Sequence, residues 1–135
     1  MEKLFVYSDG GARGNPGKAA IGIVILDENR RELKTYKKYL GIKTNNQAEY
    51  LALITALEIA KKYAEKINCY SDSELIISQI TGKYKIKNKE LKRLFDLLKS
   101  KEKEFKEIFY QNVPRKNKFI QEADRLVNEV LDKNA

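Results

Sequence analysis

Runs of apolar residues separated by polar breaks divide the chain into alternating short and long elements. Lys3–Ser8 reads as a strand, apolar enough to be central, and it stops at Asp9. Gly10–Gly17 then reads as a loop, because four of the seven glycines fall there together with Pro16. Ala19–Leu26 is a second strand, rich in Ile and Val. A turn at Asp27–Arg30 joins it to a more exposed third strand over Glu32–Leu40, so the two form a hairpin. Gly41–Asn45 is expected to be a connecting loop.

Asn46–Tyr63 has Leu51, Ile54, Leu57 and Ile59 interleaved with alanines, the pattern of a long helix packed closely on a sheet. Glu65–Tyr70 is a fourth strand with Ile67 and Cys69 facing one way, and Ser71-Asp72-Ser73 leads into a short helix over Glu74–Ile80. After a basic connection at Gly82–Asn88, Leu91, Leu94, Leu97 and Leu98 recur at helical spacing within Glu90–Lys101. Phe105–Asn112 is a fifth strand, and Pro114 argues against a central ladder beyond it. Phe119–Leu131 is the last helix, with Asp124 at the border of its apolar side. An antiparallel group feeding strand–helix–strand crossovers predicts an α/β fold, a five-stranded mixed sheet with helices on both faces, within one domain over 1–135.

Composition narrows the chemistry. The chain has no histidine and one cysteine, Cys69, which excludes His-based zinc sites, Cys–His or Ser–His nucleophiles and an internal disulfide. No stretch has the apolar length of a membrane span or signal peptide, so a cytoplasmic protein without a membrane partner is expected. A net charge of +8, from 27 Lys+Arg against 19 Asp+Glu, favours a polyanionic partner such as nucleic acid.

Asp9 and Asp72 are expected at strand ends, and Glu49 in the first turn of the long helix. Each has an ordinary structural reading. Asp9 suits a turn, Asn46 and Glu49 resemble a capping box, Asp72 could cap the helix that follows, and Asp124 could be a solvated helix acid. Converging at one sheet edge, the acids would instead form an all-oxygen site for Mg²⁺ or Mn²⁺ and point to metal-assisted phosphodiester chemistry. Gly11–Lys18 is not a phosphate-binding P-loop. Its glycine spacing is one residue too long, Ala19 stands where Ser or Thr is required, and a strand follows in place of a helix.

Four segments carry a family resemblance: SDGGARGNPG at 8–17, TNNQAEYLALITAL at 44–57, YSDSELI at 70–76 and EADRLVNEVL at 122–131. In order and over nearly the whole chain, they resemble type 1 ribonuclease H. The resemblance implies a nuclease that cleaves the RNA strand of RNA/DNA hybrids, leaving 5′-phosphate and 3′-hydroxyl ends. It implies two Mg²⁺ or Mn²⁺ ions with substrate bound, held by Asp9, Glu49, Asp72 and Asp124, with Asp9 bridging. Gly10, Gly11, Asn15, Asn45, Asn46 and Gln47 would lie along the minor groove, with Thr44 near a DNA-strand phosphate. No obligate protein partner is implied.

The chain also departs from the family pattern. It lacks the mobile histidine many relatives carry before the last aspartate, where Arg115, Lys116 or Lys118 could shape the loop electrostatically. Glu74 replaces a glutamine that often contacts substrate, and Ile120 replaces an asparagine. Lys83–Arg93 only loosely matches the basic handle of some relatives. Two alternatives follow: activity on double-stranded RNA as well, or a catalytically weak hybrid- or RNA-binding module.

Overall fold

A computed structural model describes residues 2–135. Its five strands are β1 (Leu4–Gly14), β2 (Gly17–Leu26), β3 (Glu32–Lys43), β4 (Lys66–Ser71) and β5 (Glu107–Asn112). The helices are α1 (Asn45–Ala60), α2 (Glu74–Ile80), α3 (Lys89–Glu102) and α4 (Lys118–Lys133). The strands form one mixed sheet in the order β3-β2-β1-β4-β5, with β1–β2 and β2–β3 antiparallel and β1–β4 and β4–β5 parallel. This is the α/β architecture expected from the chain pattern.

β2 explains how both faces are covered. Ile21, Ile23 and Ile25 point into the larger core beneath α1, whereas Ala20, Val24 and Leu26 point to the opposite side beneath α4. A strand buried on both faces reads as a continuous apolar run because neither side meets water. α1 lies over β1 and β2, α3 packs on α1, and α4 crosses β2, β1 and β3 from the other side. Within the larger core the Tyr50 hydroxyl donates to Gln79 Oε1 at 2.7 Å, tying α1 to α2.

Two segments expected to be loops are strand. β1 continues past Asp9 to Gly14, paired with β2 down to Gly14↔Gly17, so much of the glycine-rich segment is a hairpin arm. Its glycines reflect close backbone approach as well as turning. β3 runs on through Gly41 to Lys43, with Leu40 as the extra residue where the register shifts between Ala19↔Gly41 and Ala20↔Tyr39. Among the described residues, no helix is long and apolar enough to cross a membrane.

Candidate carboxylate centre and nucleic-acid cleft

The ladder positions Asp9. On one side β1 remains paired with β2, with Asp9 opposite Gly22; on the other, its pairing with β4 stops at Tyr7↔Tyr70. Asp9 therefore sits where the β1–β4 ladder opens, on backbone still fixed by β2. Asp72 emerges from the same opening, one residue beyond the end of β4.

Glu49 arrives from α1. The cap of this helix is Thr44, whose Oγ1 accepts from the Gln47 N–H while Gln47 Oε1 accepts from the Thr44 N–H at 2.8 Å. The expected Asn46–Glu49 capping pair is thus replaced by Thr44–Gln47, two residues earlier. Glu49 is left with one defined partner, the Gly10 N–H, which donates to its Oε1 at 2.8 Å. Gly10 has to be glycine, because a β-carbon there would lie 2.3 Å from the Ala48 carbonyl oxygen. Asp72 is no helix cap either; Ser73 caps α2 through the Ile76 N–H.

Ligand oxygens of Asp9, Glu49 and Asp72 all lie within 4.8 Å of one another. Asp9 is 9% exposed. Burial first, then the charges of Asp72 and Asp124 and a hydrogen bond with Asp124, push its carboxyl up to about 8 despite the opposing Arg115 charge. Glu49 is raised as well, chiefly by burial and next by Asp9, against the lowering effect of the Gly10 hydrogen bond. Arg115 supplies partial relief, its Nε lying 3.5 Å from Asp72 Oδ2 with a side chain 93% exposed. Three crowded carboxylates offering only oxygen suit a hard divalent cation, which would offset this repulsion.

Asp124 lies on exposed α4 surface beside Asp9, outside the three-acid cluster but on the wall of the same cleft. Asn128, one turn further along, donates from Nδ2 to Asp124 Oδ2 at 3.3 Å, and Arg13 Nη2 donates to Asn128 Oδ1 at 3.2 Å. Arg13 and Asn128 were missed in the sequence. The Asp124–Asn128 spacing of four on a helix was the available signal.

The cleft, about 470 Å³, is also lined by Gly10, Gly11, Asn45, Asn46 and Arg115. A smaller adjoining hollow of about 250 Å³ contains Asn15, Thr44, Asn46 and Gln47. Asn45 Oδ1 accepts from the Ala12 N–H and Asn15 Oδ1 from the Asn45 N–H, which leaves the NH₂ groups of these two amides to donate elsewhere. Glu74 lies in a different hollow with Ser78, Tyr84, Tyr110 and Asn112. Lys116 is exposed, and Lys118 sits 5.5 Å from the centre of the Phe119 ring, so neither lines the cleft as Arg115 does.

A model of the RNase H family matches residues 1–131. The chain belongs to the ribonuclease H family. A bifunctional protein of Mycobacterium tuberculosis is 37% identical over 132 residues, covering 96% of this chain and 36% of the relative. Ribonuclease HI of Halobacterium salinarum is 36% identical over 131 residues, covering 96% of this chain and 65% of that protein. The chain thus spans between about a third and two thirds of these curated relatives' length. Among solved structures, ribonuclease H1 of Halobacterium salinarum superposes with a TM-score of 0.92 at 35% identity, over 97% of this chain and 98% of that one. LC11-RNase H1, from a compost metagenome and solved in complex with RNA/DNA hybrid, gives 0.90 at 39% identity over the same shares. The fold is ribonuclease H-like, and its carboxylate triad, formed without histidine, suits a divalent metal.

Proposed function

We propose that this chain hydrolyses phosphodiester bonds within the RNA strand of RNA/DNA hybrids, leaving 5′-phosphate and 3′-hydroxyl ends. The convergence of Asp9, Glu49 and Asp72 within 4.8 Å, on a cleft bordered by amide side chains, carries this reading. The solved relative in complex with hybrid supports the substrate class.

Asp9, Glu49, Asp72 and Asp124 would hold Mg²⁺ or Mn²⁺, two ions with substrate bound, and Asp9 is the most central of them. Bound there, the ions would activate water and stabilise the leaving oxygen. The chain's own contribution is placement. The Gly10 N–H aims Glu49, Arg115 tempers the charge at Asp72, and Asn128 with Arg13 orients Asp124. The free amide donors of Asn15 and Asn45 suit minor-groove and sugar acceptors, with Gly10, Gly11, Asn46 and Gln47 beside them. Thr44 still has its hydroxyl proton to offer a phosphate, because capping uses Oγ1 only as an acceptor. Glu74, when ionised, can only accept, so it would meet a 2′-hydroxyl in place of a phosphate.

Labelled hybrid, double-stranded RNA, double-stranded DNA and single strands are incubated with Mg²⁺, Mn²⁺ or EDTA, and products are sized and end-mapped. Metal-dependent cuts confined to the RNA strand of the hybrid are expected. Absence of any such cutting overturns the proposal, and equal cutting of double-stranded RNA broadens it.

A further inference from the structure

α4 covers only part of its side of the sheet: it lies over β2, β1 and β3, and among the described residues no helix is packed over β4 and β5 there. The strand registers place Phe5, Asn68 and Phe109 in one row across β1, β4 and β5, with Tyr7, Tyr70 and Gln111 in the next. Phe109 remains 56% exposed. Tyr7 and Tyr70, both buried, stack at 4.6 Å between centroids, and half-buried Phe5 is near parallel to Tyr70 at 6.5 Å, so a stacked aromatic floor underlies the face.

Cations are perched on this floor. The Arg30 guanidinium lies 4.0 Å from the centre of the Phe5 ring, and Lys3 Nζ lies 5.6 Å from that of Phe109. Between the two phenylalanines, Asn68 Oδ1 has no hydrogen-bond partner. The acids bordering the face are Glu107 opposite Lys66, Glu2 paired with Lys66 at 3.5 Å, and Glu32 and Glu122 in the hollow beside Arg30. The rings that face outward are exposed Phe109 and half-buried Phe5, each beneath a cation, and between them lies the unpaired Asn68 oxygen, whose amide Nδ2 donates to the Tyr70 hydroxyl at 3.3 Å. Together these match what an unpaired strand needs: flat surfaces for bases, positive charge for phosphates and a polar group for a base edge.

We propose that this uncovered half of the sheet is a stacking platform for single-stranded nucleic acid, separate from the carboxylate cleft. Bases lie on Phe109 and Phe5, Lys3 and Arg30 swing from the rings to the phosphates, and Asn68 accepts from a base N–H, such as the N3–H of thymine, once the covering side chains part. Asn68 precedes Asp72 by four residues on the same chain, about 13 Å at strand rise. An unpaired overhang of a substrate held in the cleft can therefore reach the platform.

The test uses the whole protein in EDTA with a fluorescent oligothymidylate of about twelve nucleotides, read by anisotropy at low salt. Because this DNA probe is bound and not cut, the outcome is independent of whether hybrid is the substrate. Binding is expected to persist under excess blunt-ended hybrid and to weaken about tenfold in Phe109→Ala, the order of one lost base stack. Lys3→Glu, which removes no core atom, is expected to weaken it comparably even if Phe109→Ala disturbs the sheet. Cleavage of blunt hybrid, where the wild type shows it, should be unchanged in both variants. Absence of oligothymidylate binding, wild-type binding by Phe109→Ala and Lys3→Glu, or full displacement by blunt hybrid overturns the proposal.

Discussion

Gly22 stands directly beneath Ala123: a β-carbon at position 22 would lie 2.2 Å from the Ala123 carbonyl oxygen. Gly22 is also the β2 partner of Asp9, and Ala123 immediately precedes Asp124, so one missing side chain brings α4 down onto the strand pair that holds the central carboxylate. Gly22→Ala is expected to lift α4 and lower stability by about 1–3 kcal/mol, as for other overpacked sites. Hybrid cleavage should fall further than stability explains, because Asp124 moves. Stabilisation by Mg²⁺ should largely survive, since Asp9, Glu49 and Asp72 do not depend on α4. Denaturant titration with and without Mg²⁺, beside initial cleavage rates, separates these effects.

Acidity at Asp9 gives a pH signature. Its folded-state value of about 8 lies above the ordinary 3.8, so from about pH 4 to pH 8 the folded protein keeps a proton that the unfolded chain has lost. Stability of the metal-free protein should therefore fall as pH rises through this window. Asp9→Asn should flatten the fall, and Mg²⁺ should restore wild-type stability most strongly at the alkaline end. Denaturation midpoints in EDTA across the range test the sign; a wild-type midpoint that rises with pH, with no difference from Asp9→Asn, contradicts it.

Glu49→Gln should leave a well-folded protein, because the amide oxygen can still accept from Gly10 while a destabilising buried charge disappears. Stability is expected to match or exceed the wild type. Cleavage should drop by about a hundredfold or more, at least the scale seen when a metal site's supporting groups are removed. Thermal melts together with single-turnover rates measure both.

Thr44→Ala removes the α1 cap and should cost about 1 kcal/mol. With Thr44 also proposed to meet a phosphate, weaker substrate binding should accompany the loss, seen as a rise in KM with little change in kcat. Thr44→Ser, which keeps the hydroxyl, should restore both.

Arg115→Ala removes the charge that lowers the proton affinity of both Asp9 and Glu49. The acidic limb of the pH–rate profile should move to higher pH, and Arg115→Lys should recover part of the shift. An unmoved limb would leave Arg115 without an electrostatic role.

Much of this architecture was legible because strand and helix periods are local. The Ile- and Val-rich run of β2 and the leucines of α3 announced themselves, and the short Ser71-Asp72-Ser73 link marked the strand-to-helix junction. Glycine was harder to read. Its presence at 10, 11 and 14 looked like a loop, whereas β1 runs through these positions and Gly10 admits α1 close to the strand. Nothing near Gly22 in the sequence mentions Ala123, about a hundred residues away. The capping box was misassigned because Asn46–Glu49 and Thr44–Gln47 are chemically similar and only backbone geometry chooses between them. Grouping the acids depended on β1 and β4 being neighbours, which spacing permits but cannot require.

The extension of β1 beyond Asp9 gives the centre one stationary member. Asp9 stands midway along a hydrogen-bonded hairpin, whereas Glu49, Asp72 and Asp124 arrive on a helix start, a strand exit and a helix side. Adjusting the cavity to a different ion radius or backbone path therefore falls to those three approaches, with β1 as the fixed jaw against which they close.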